Sequence, residues 1–245
     1  MNNKNIFIIA GESSGDQHAA NYINEHLHMN KDISFSAFGQ NEVRKTKAEL
    51  IYNTEKISVI GIIEVISKYR EISNALNIAK NHIKNTKPDL VVLVDYIEFN
   101  LKIARYSKEL NIPVLFYVAP QVWAWRENRA KGFMDSINHL AVIFPFEVKY
   151  FKKYSNNISY VGHPLTKRSD LLDSIKDYST RTIDLGIFPG SRESEIKVLM
   201  PILIDFVKLM NKNFNNFSFV FHATSENKNN INNYLQKLHI DNIQV

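Results

Sequence analysis

Short apolar, β-rich runs alternate with amphipathic stretches along this chain, and almost every apolar run ends in a small or polar residue. Asn5 to Ala10 leads into Gly11, and Ile33 to Phe38 into Gly39. Asp89 to Val94 leads into Asp95, Val114 to Val118 into Ala119-Pro120, His139 to Phe144 into Pro145, and Ile158 to Val161 into Gly162. Between them lie segments with helical patterning: about Gln17 to His28, Val59 to Lys84 (closed by Lys87-Pro88), Leu101 to Leu110, the stretch after Trp125, and Glu147 to Tyr154. Strand after helix after strand predicts an α/β fold with a doubly wound, Rossmann-like parallel sheet. In such a sheet ligands bind beyond the carboxyl ends of the strands. The residues that follow each run are therefore the candidate site residues.

Ser169 to Thr182 is charged and weakly patterned. It reads as a linker (169–182) between a domain of residues 1–168 and a second of residues 183–245. In the second the pattern restarts: strand Ile183 to Phe188, turn Pro189-Gly190-Ser191-Arg192, helix Glu193 to Met210, strand Phe217 to His222, helix Asn227 to Leu238, and a strand from Ile243. Two and a half such units are too few to cover both faces of a parallel sheet, so an incomplete second Rossmann-like domain is expected.

With 245 residues and no cysteine, the chain has no disulfide, thiolate metal site or cysteine nucleophile, in keeping with a reducing compartment. The net charge of +5 suits an anionic partner such as a nucleotide or phospholipid surface. No recognised nucleic-acid module supports a nucleic-acid partner. The opening residues show no signal-peptide pattern, and no apolar run reaches transmembrane length.

Gly11-Glu12-Ser13-Ser14-Gly15-Asp16 is a glycine-flanked turn between a strand and a helix. Its amides could face an anion or a sugar hydroxyl, or it is a tight turn with Ser14 or Asp16 as helix cap. Its glycine spacing is not that of the dinucleotide fingerprint, which argues against a nicotinamide-dependent oxidoreductase. Asp95 ends a run of aliphatics, where partial desolvation raises carboxylate basicity; the plainer alternative is that it caps the next helix, a role that Asn100 could equally fill. Trp123 and Trp125, two apart in a segment read as extended, are expected to divide, with one in the core and one free to stack on a sugar or line an acyl groove. Arg126 beside them could hold a phosphate. His163 follows Val161-Gly162 at another strand end and reads equally as functional or structural. Gly190, Ser191 and Arg192 combine a flexible turn, a helix start and a cation, which suits a diphosphate. The apolar stretch Val59 to Ile66, followed by Lys68 and Arg70, fits either a buried helix or a surface that meets acyl chains and phosphate headgroups.

Taken in order, Ala10 to Asp16, Val59 to Val65, Asp95 to Asn100, Val122 to Arg126, Phe144 to Glu147, Val161 to Pro164 and Pro189 to Arg192 resemble the lipid-A-disaccharide synthase family, inverting glycosyltransferases of the two-Rossmann (GT-B) type. The resemblance implies transfer of an acylated glucosamine from a UDP-activated donor to acylated glucosamine 1-phosphate, forming a β-1,6 disaccharide and releasing UDP. It implies neither cofactor nor metal. Asp95 matches the family's general base and Arg192 a donor-binding arginine. The candidate substrate contacts are Glu12, Ser14, Gly15, Asp16, Glu98, Asn100, Trp123, Trp125, Arg126 and His163, and Gly190, Ser191 and Arg192 would hold the donor diphosphate.

The chain departs from the family at Glu98, which stands where a second Asp is usual, and at Glu193, where a small residue is usual. It is also over a hundred residues shorter, lacking the rest of the donor domain. Two readings of its activity follow: a hexosyltransferase, or a catalytically inactive fragment that binds acylated sugar phosphate or a membrane. The expected location is the cytoplasmic face of the inner membrane, bound peripherally, and a homodimer is left open for a full-length chain.

Overall fold

The computed structural model describes residues 4–30, 32–57, 68–125, 127–167, 182–190, 193–214, 217–224, 227–236 and 243–245, with the side chains of Trp125 and Lys167 outside that description. The chain divides into two compact units, Met1–Arg168 and Ser169–Val245.

The first unit is built on seven parallel strands: β1 (Lys4–Ala10), β2 (Ile33–Gly39), β3 (Glu49–Asn53), β4 (Leu90–Val94), β5 (Val114–Tyr117), β6 (His139–Val142) and β7 (Ile158–Tyr160). Their order across the sheet is β3-β2-β1-β4-β5-β6-β7. The helices are α1 (Ser13–Met29), α2 (Asn41–Arg44), α3 (Tyr69–Thr86), α4 (Ile97–Glu109), α5 (Val122–Trp125), α6 (Ala130–Met134) and α7 (Pro145–Phe151).

Both faces of the sheet are covered, which is why its central strands read as continuous apolar runs. On one face Phe7, Ile9, Val91, Leu93, Phe116 and Leu140 pack with Ala75, Ala79 and Ile83 of α3 and Ile103 and Ala104 of α4. On the other Ile6, Ile8, Val92 and Val94 meet Ala19, Ala20 and Ile23 of α1. Small residues on α1 let the helix lie close to the strand ends. Each fully buried Phe or Ile contributes about 1.5–3 kcal/mol. The helix α3 ends as its sequence predicts: Lys87 turns into the left-handed region at φ 44°, and Pro88 cannot continue a helix.

The structure corrects the reading of the tryptophan segment. Residues 122–125 form a short helix rather than an extended stretch. Residues two apart share one face of a strand but diverge by about 200° on a helix, so any division of the two tryptophans between core and surface belongs to the helix. The expected helix after Trp125 is a 3-10 turn at Glu127–Arg129 followed by α6. The sequence pattern also missed β3 and α2. β3 is an edge strand whose apolar residues are only half-buried, so it lacks the hydrophobic density of its neighbours. The Val59 to Ile66 stretch lies outside the described residues.

The second unit has β8 (Leu185–Ile187), β9 (Phe219–Phe221) and β10 (Ile243–Gln244), parallel in the order β10-β9-β8, with α8 (Glu193–Asn213) and α9 (Lys228–Leu235). Ile187, Ile196, Met200, Val207, Phe219, Phe221, Ile231 and Leu235 form its core. Of the linker read at 169–182, only Thr182 is described.

Candidate functional site

In the first unit β1 pairs with β2 on one side and with β4 on the other, with Ala10 beside Val94 at the carboxyl end. Strand order reverses there, and a crevice at such a switch point is where open α/β sheets bind ligands. The Gly11–Asp16 turn leaves β1 at this point and Asp95 leaves β4. The two sequence signals, about eighty residues apart, are brought together by topology alone.

Asp95 sits on a strained elbow. Asp95 and Tyr96 both have left-handed backbones, φ 49° and 45°, a conformation costing non-glycine residues roughly 1–2 kcal/mol each. Several contacts hold it. The Asn100 side-chain amide donates to the carbonyls of Val94 at 3.2 Å and Asp95 at 2.7 Å. The Asp95 N–H donates to the Tyr117 carbonyl at 3.3 Å. Tyr96 donates its hydroxyl to the Ile57 carbonyl at 2.9 Å and stacks on Phe99 with centroids 5.5 Å apart. Its ring lies so close over Gly11 that a Cβ there would overlap it. Burial, with Glu12 and Tyr52 adding to it, pushes the Tyr96 phenol up to about 12. Asp95 is half-buried. Burial raises its carboxyl above the ordinary carboxylate value, while the Tyr96 backbone and His18 pull the other way. No side chain caps α4 among the described residues, so Asp95 is not spent as a helix cap.

The glycine-flanked turn is braced from β2. Asp16 is only 2% exposed. Its carboxylate accepts backbone N–H groups from Gln40 at 2.5 Å, Glu42 at 2.7 Å and Val43 at 3.4 Å. Asp16 therefore fastens the β2–α2 turn to α1 instead of capping α1. The buried Gln40 donates to the Gly11 carbonyl at 3.2 Å and accepts from Ser13 at 3.4 Å. Ser14 is exposed and Glu12 half-buried at the mouth of the turn. Gly15 is close to Ala10 and Val94, but a Cβ there would make only ordinary contacts, at 3.7 Å.

Two histidines act on the same place. His18, on the first turns of α1, lies with its ring 6.2 Å from that of Tyr117. Burial, then His163, hold its imidazole below the usual range, while Asp95 works to raise it. The Nδ1 of His163 accepts the Leu165 N–H at 3.3 Å, leaving Nε2 to carry the proton of the neutral ring.

Beyond β5 and β6 an aromatic ledge continues from His163. The Phe144 ring is 5.5 Å from His163 and 5.8 Å from Phe146, and Phe146 meets Trp123 edge-on at 5.0 Å. Trp123 is 36% and Phe146 50% exposed. Glu147, buried beneath them, accepts the Phe144 N–H at 3.1 Å. Burial raises its carboxyl, opposed by hydrogen bonds that include one from the Trp123 side chain, so Glu147 also orients the indole. Glu98 is exposed and pairs with Arg129 at 2.5 Å, a surface pair worth ~0–1 kcal/mol. Of the remaining candidates, Arg126 and the Trp125 side chain lie outside the described residues.

In the second unit Gly190 follows β8 with φ 99°, a conformation that requires glycine, and Glu195 lies against it. Ser191 and Arg192 lie outside the described residues. Among the described residues no group of three or more His, Cys, Asp or Glu is placed to hold a metal ion, and no helix is long and apolar enough to cross a membrane.

Sequence reasoning passed over Gln40, Tyr117 and His18. Gln40 and Tyr117 end strands and could have been found by the rule that found Asp95. His18 lies inside a helix, where no local signal marks it.

Two parallel α/β units in one chain, the first with its polar residues gathered at the switch point, define a GT-B-like protein. The fold agrees with solved structures. The UDP-GlcNAc 2-epimerase of Methanocaldococcus jannaschii in complex with UDP-GlcNAc and UDP is 16% identical, with a TM-score of 0.64 covering 98% of this chain and 72% of that one. The glycotransferase of kitacinnamycin is 14% identical, with a TM-score of 0.59 covering 99% and 70%. The chain belongs to the lipid-A-disaccharide synthetase family, whose sequence profile matches residues 6–245. It is 36% identical over 231 residues to the lipid-A-disaccharide synthase of Geobacter metallireducens, covering 91% of this chain and 60% of that relative. The chain thus spans about 60% of the length of the curated relatives it matches.

Proposed function

We propose that this chain serves the transfer of an acylated glucosamine from its UDP donor to acylated glucosamine 1-phosphate, forming the β-1,6 disaccharide of lipid A with release of UDP. The first unit takes the acceptor and residues 183–245 contribute to the donor side. The observation that carries this reading is the strained, partly desolvated Asp95 at the switch point, in a chain of this family. The Asp95 carboxylate accepts the proton of the acceptor 6-hydroxyl as that oxygen bonds to the anomeric carbon, and the bond from that carbon to UDP breaks. Burial makes Asp95 a stronger base than an exposed carboxylate. The Gly11–Asp16 turn offers backbone amides, and His163 a ring N–H, to the acceptor's hydroxyls or phosphate.

The ledge of Trp123, Phe144 and Phe146 offers an apolar surface beside these polar groups, as an acylated sugar needs. An amphiphilic acceptor also places the protein peripherally on the cytoplasmic face of the inner membrane, with Val59 to Ile66, Lys68 and Arg70 as the contact. Arg192 with Ser191 and Gly190 would bind the donor diphosphate.

The second reading is that the 245-residue chain binds acceptor without turning it over. The share of the relatives' length that it spans favours this. Both are tested by incubating the chain with the UDP-linked donor and the acceptor and detecting disaccharide by mass spectrometry. Product that falls by ~10²–10⁴ in Asp95→Ala supports transfer. Acceptor binding without product supports the second reading, and neither product nor binding refutes both.

A further inference from the structure

Among the described residues, His18 is a titratable side chain at the switch point to which neither the sequence pattern nor the reaction scheme gives a task. It stands on α1 just beyond the glycine-flanked turn, with its ring beside that of Tyr117 at the end of β5. Its Nδ1 is buried and has no hydrogen-bond partner among the described residues. Nearly all buried polar atoms in folded proteins have such a partner, so an orphan beside a candidate site points to a ligand that completes it. The groups acting on the ring come from three elements: Asp95 after β4, His163 after β7, and Tyr117 on β5. Burial pushes the Tyr117 phenol up, so it stays uncharged. Burial and His163 disfavour a proton on His18 more than Asp95 favours it. The imidazole is therefore neutral at neutral pH, with one ring nitrogen a donor and the other an acceptor.

We infer that His18 is a substrate-positioning residue whose Nδ1 hydrogen-bonds a hydroxyl of the acceptor sugar, holding it beside the Asp95 carboxylate. The inference rests on the reading of this site as one for acylated glucosamine 1-phosphate. A charged residue in this place would compete with the sugar for Asp95. A neutral ring can fix the hydroxyl while leaving the carboxylate free to take its proton.

The test is a titration of the 245-residue chain, labelled with ¹⁵N-histidine, with acylated glucosamine 1-phosphate, followed by long-range ¹H–¹⁵N spectra. The His18 signals are assigned from the spectrum of His18→Gln. The expected result is a neutral ring in the free protein and a shift of the Nδ1 resonance on saturation. In parallel, His18→Ala weakens acceptor binding roughly three- to tenfold, the span of one net hydrogen bond. His18→Asn, whose amide reaches about the position of Nδ1, restores most of the loss, and His18→Gln, which mimics Nε2, does not. Should His18→Ala fail to fold, the resonance shift in the wild-type chain decides alone. Binding that leaves the His18 Nδ1 resonance unmoved, or an unchanged affinity in folded His18→Ala, overturns the inference while sparing the acceptor reading. A wild-type chain that binds no acceptor overturns that reading, and this inference with it.

Discussion

The side-chain amide of Asn100 holds the backbone carbonyl of Asp95 at 2.7 Å and that of Val94 at 3.2 Å. One fully buried residue thus fixes the strand end on which the candidate base stands. Without Asn100 the two carbonyls lose this donor, and the left-handed turn at Asp95 and Tyr96 loses a clamp. Asn100→Ala is expected to destabilise the protein by about 1–3 kcal/mol, measured by urea denaturation. Asn100→Asp fares no better, because an ionised carboxylate cannot donate. A stability equal to wild type in both would show that the elbow does not depend on this bond.

Gly11 lies under the Tyr96 ring, and a Cβ at that position overlaps the ring atoms. Gly11→Ala therefore displaces Tyr96 and strains its hydrogen bond to the Ile57 carbonyl. Overpacking of this kind costs about 1–3 kcal/mol. The control is Gly15→Ala, where the added carbon finds ordinary contacts at 3.7 Å and a far smaller change is expected. Thermal unfolding of the two variants checks the ranking, which an equal loss in both would contradict.

Burial raises the folded-state carboxyl of Asp95 above its ordinary value, so Asp95 opposes folding once it ionises. The sign follows from linkage: the stability is fully present below the unfolded value of 3.8 and is lost as pH rises through the higher folded value. Asp95→Asn is thus expected to be more stable than wild type at neutral pH while losing function. Its advantage should shrink as pH falls through the folded value and level off below the unfolded one. Melting temperatures taken across that range check this, and a destabilised Asp95→Asn at neutral pH would contradict it.

The strands and their loops were legible because buried parallel strands must be apolar along their whole length and must end in residues that tolerate turns. That logic placed Asp95, the Gly11–Asp16 turn and His163 without any structure. It failed where the determinant is not local. Asp16 looked like a helix cap or a ligand contact, yet its carboxylate is taken up by backbone N–H groups at Gln40, Glu42 and Val43. No spacing within a helix reveals partners more than twenty residues away. His18 was silent for the same reason. The tryptophans were read as extended because a four-residue helix is too short to show a helical period.

The Asp16 carboxylate joins α1 to the turn after β2, so its removal should be felt as a loss of stability. Asp16→Ala leaves three backbone N–H groups without this acceptor, at about 1–3 kcal/mol for a buried group. Hydrogen exchange should rise at Gln40 and Glu42 in this variant. Unchanged protection there would show that the turn is held by something else.

The most direct test of the central claim, that the carboxyl edge of the first unit's sheet holds an acylated glucosamine 1-phosphate, uses Trp123 as reporter. In Trp125→Phe only Trp123 remains to fluoresce, and it stands on the ledge with Phe146, 5.0 Å away. Titration with acylated glucosamine 1-phosphate should give a saturable change in emission that a detergent of equal chain length does not reproduce. No change, or the same change with the detergent, would contradict the assignment of this edge as the acceptor site.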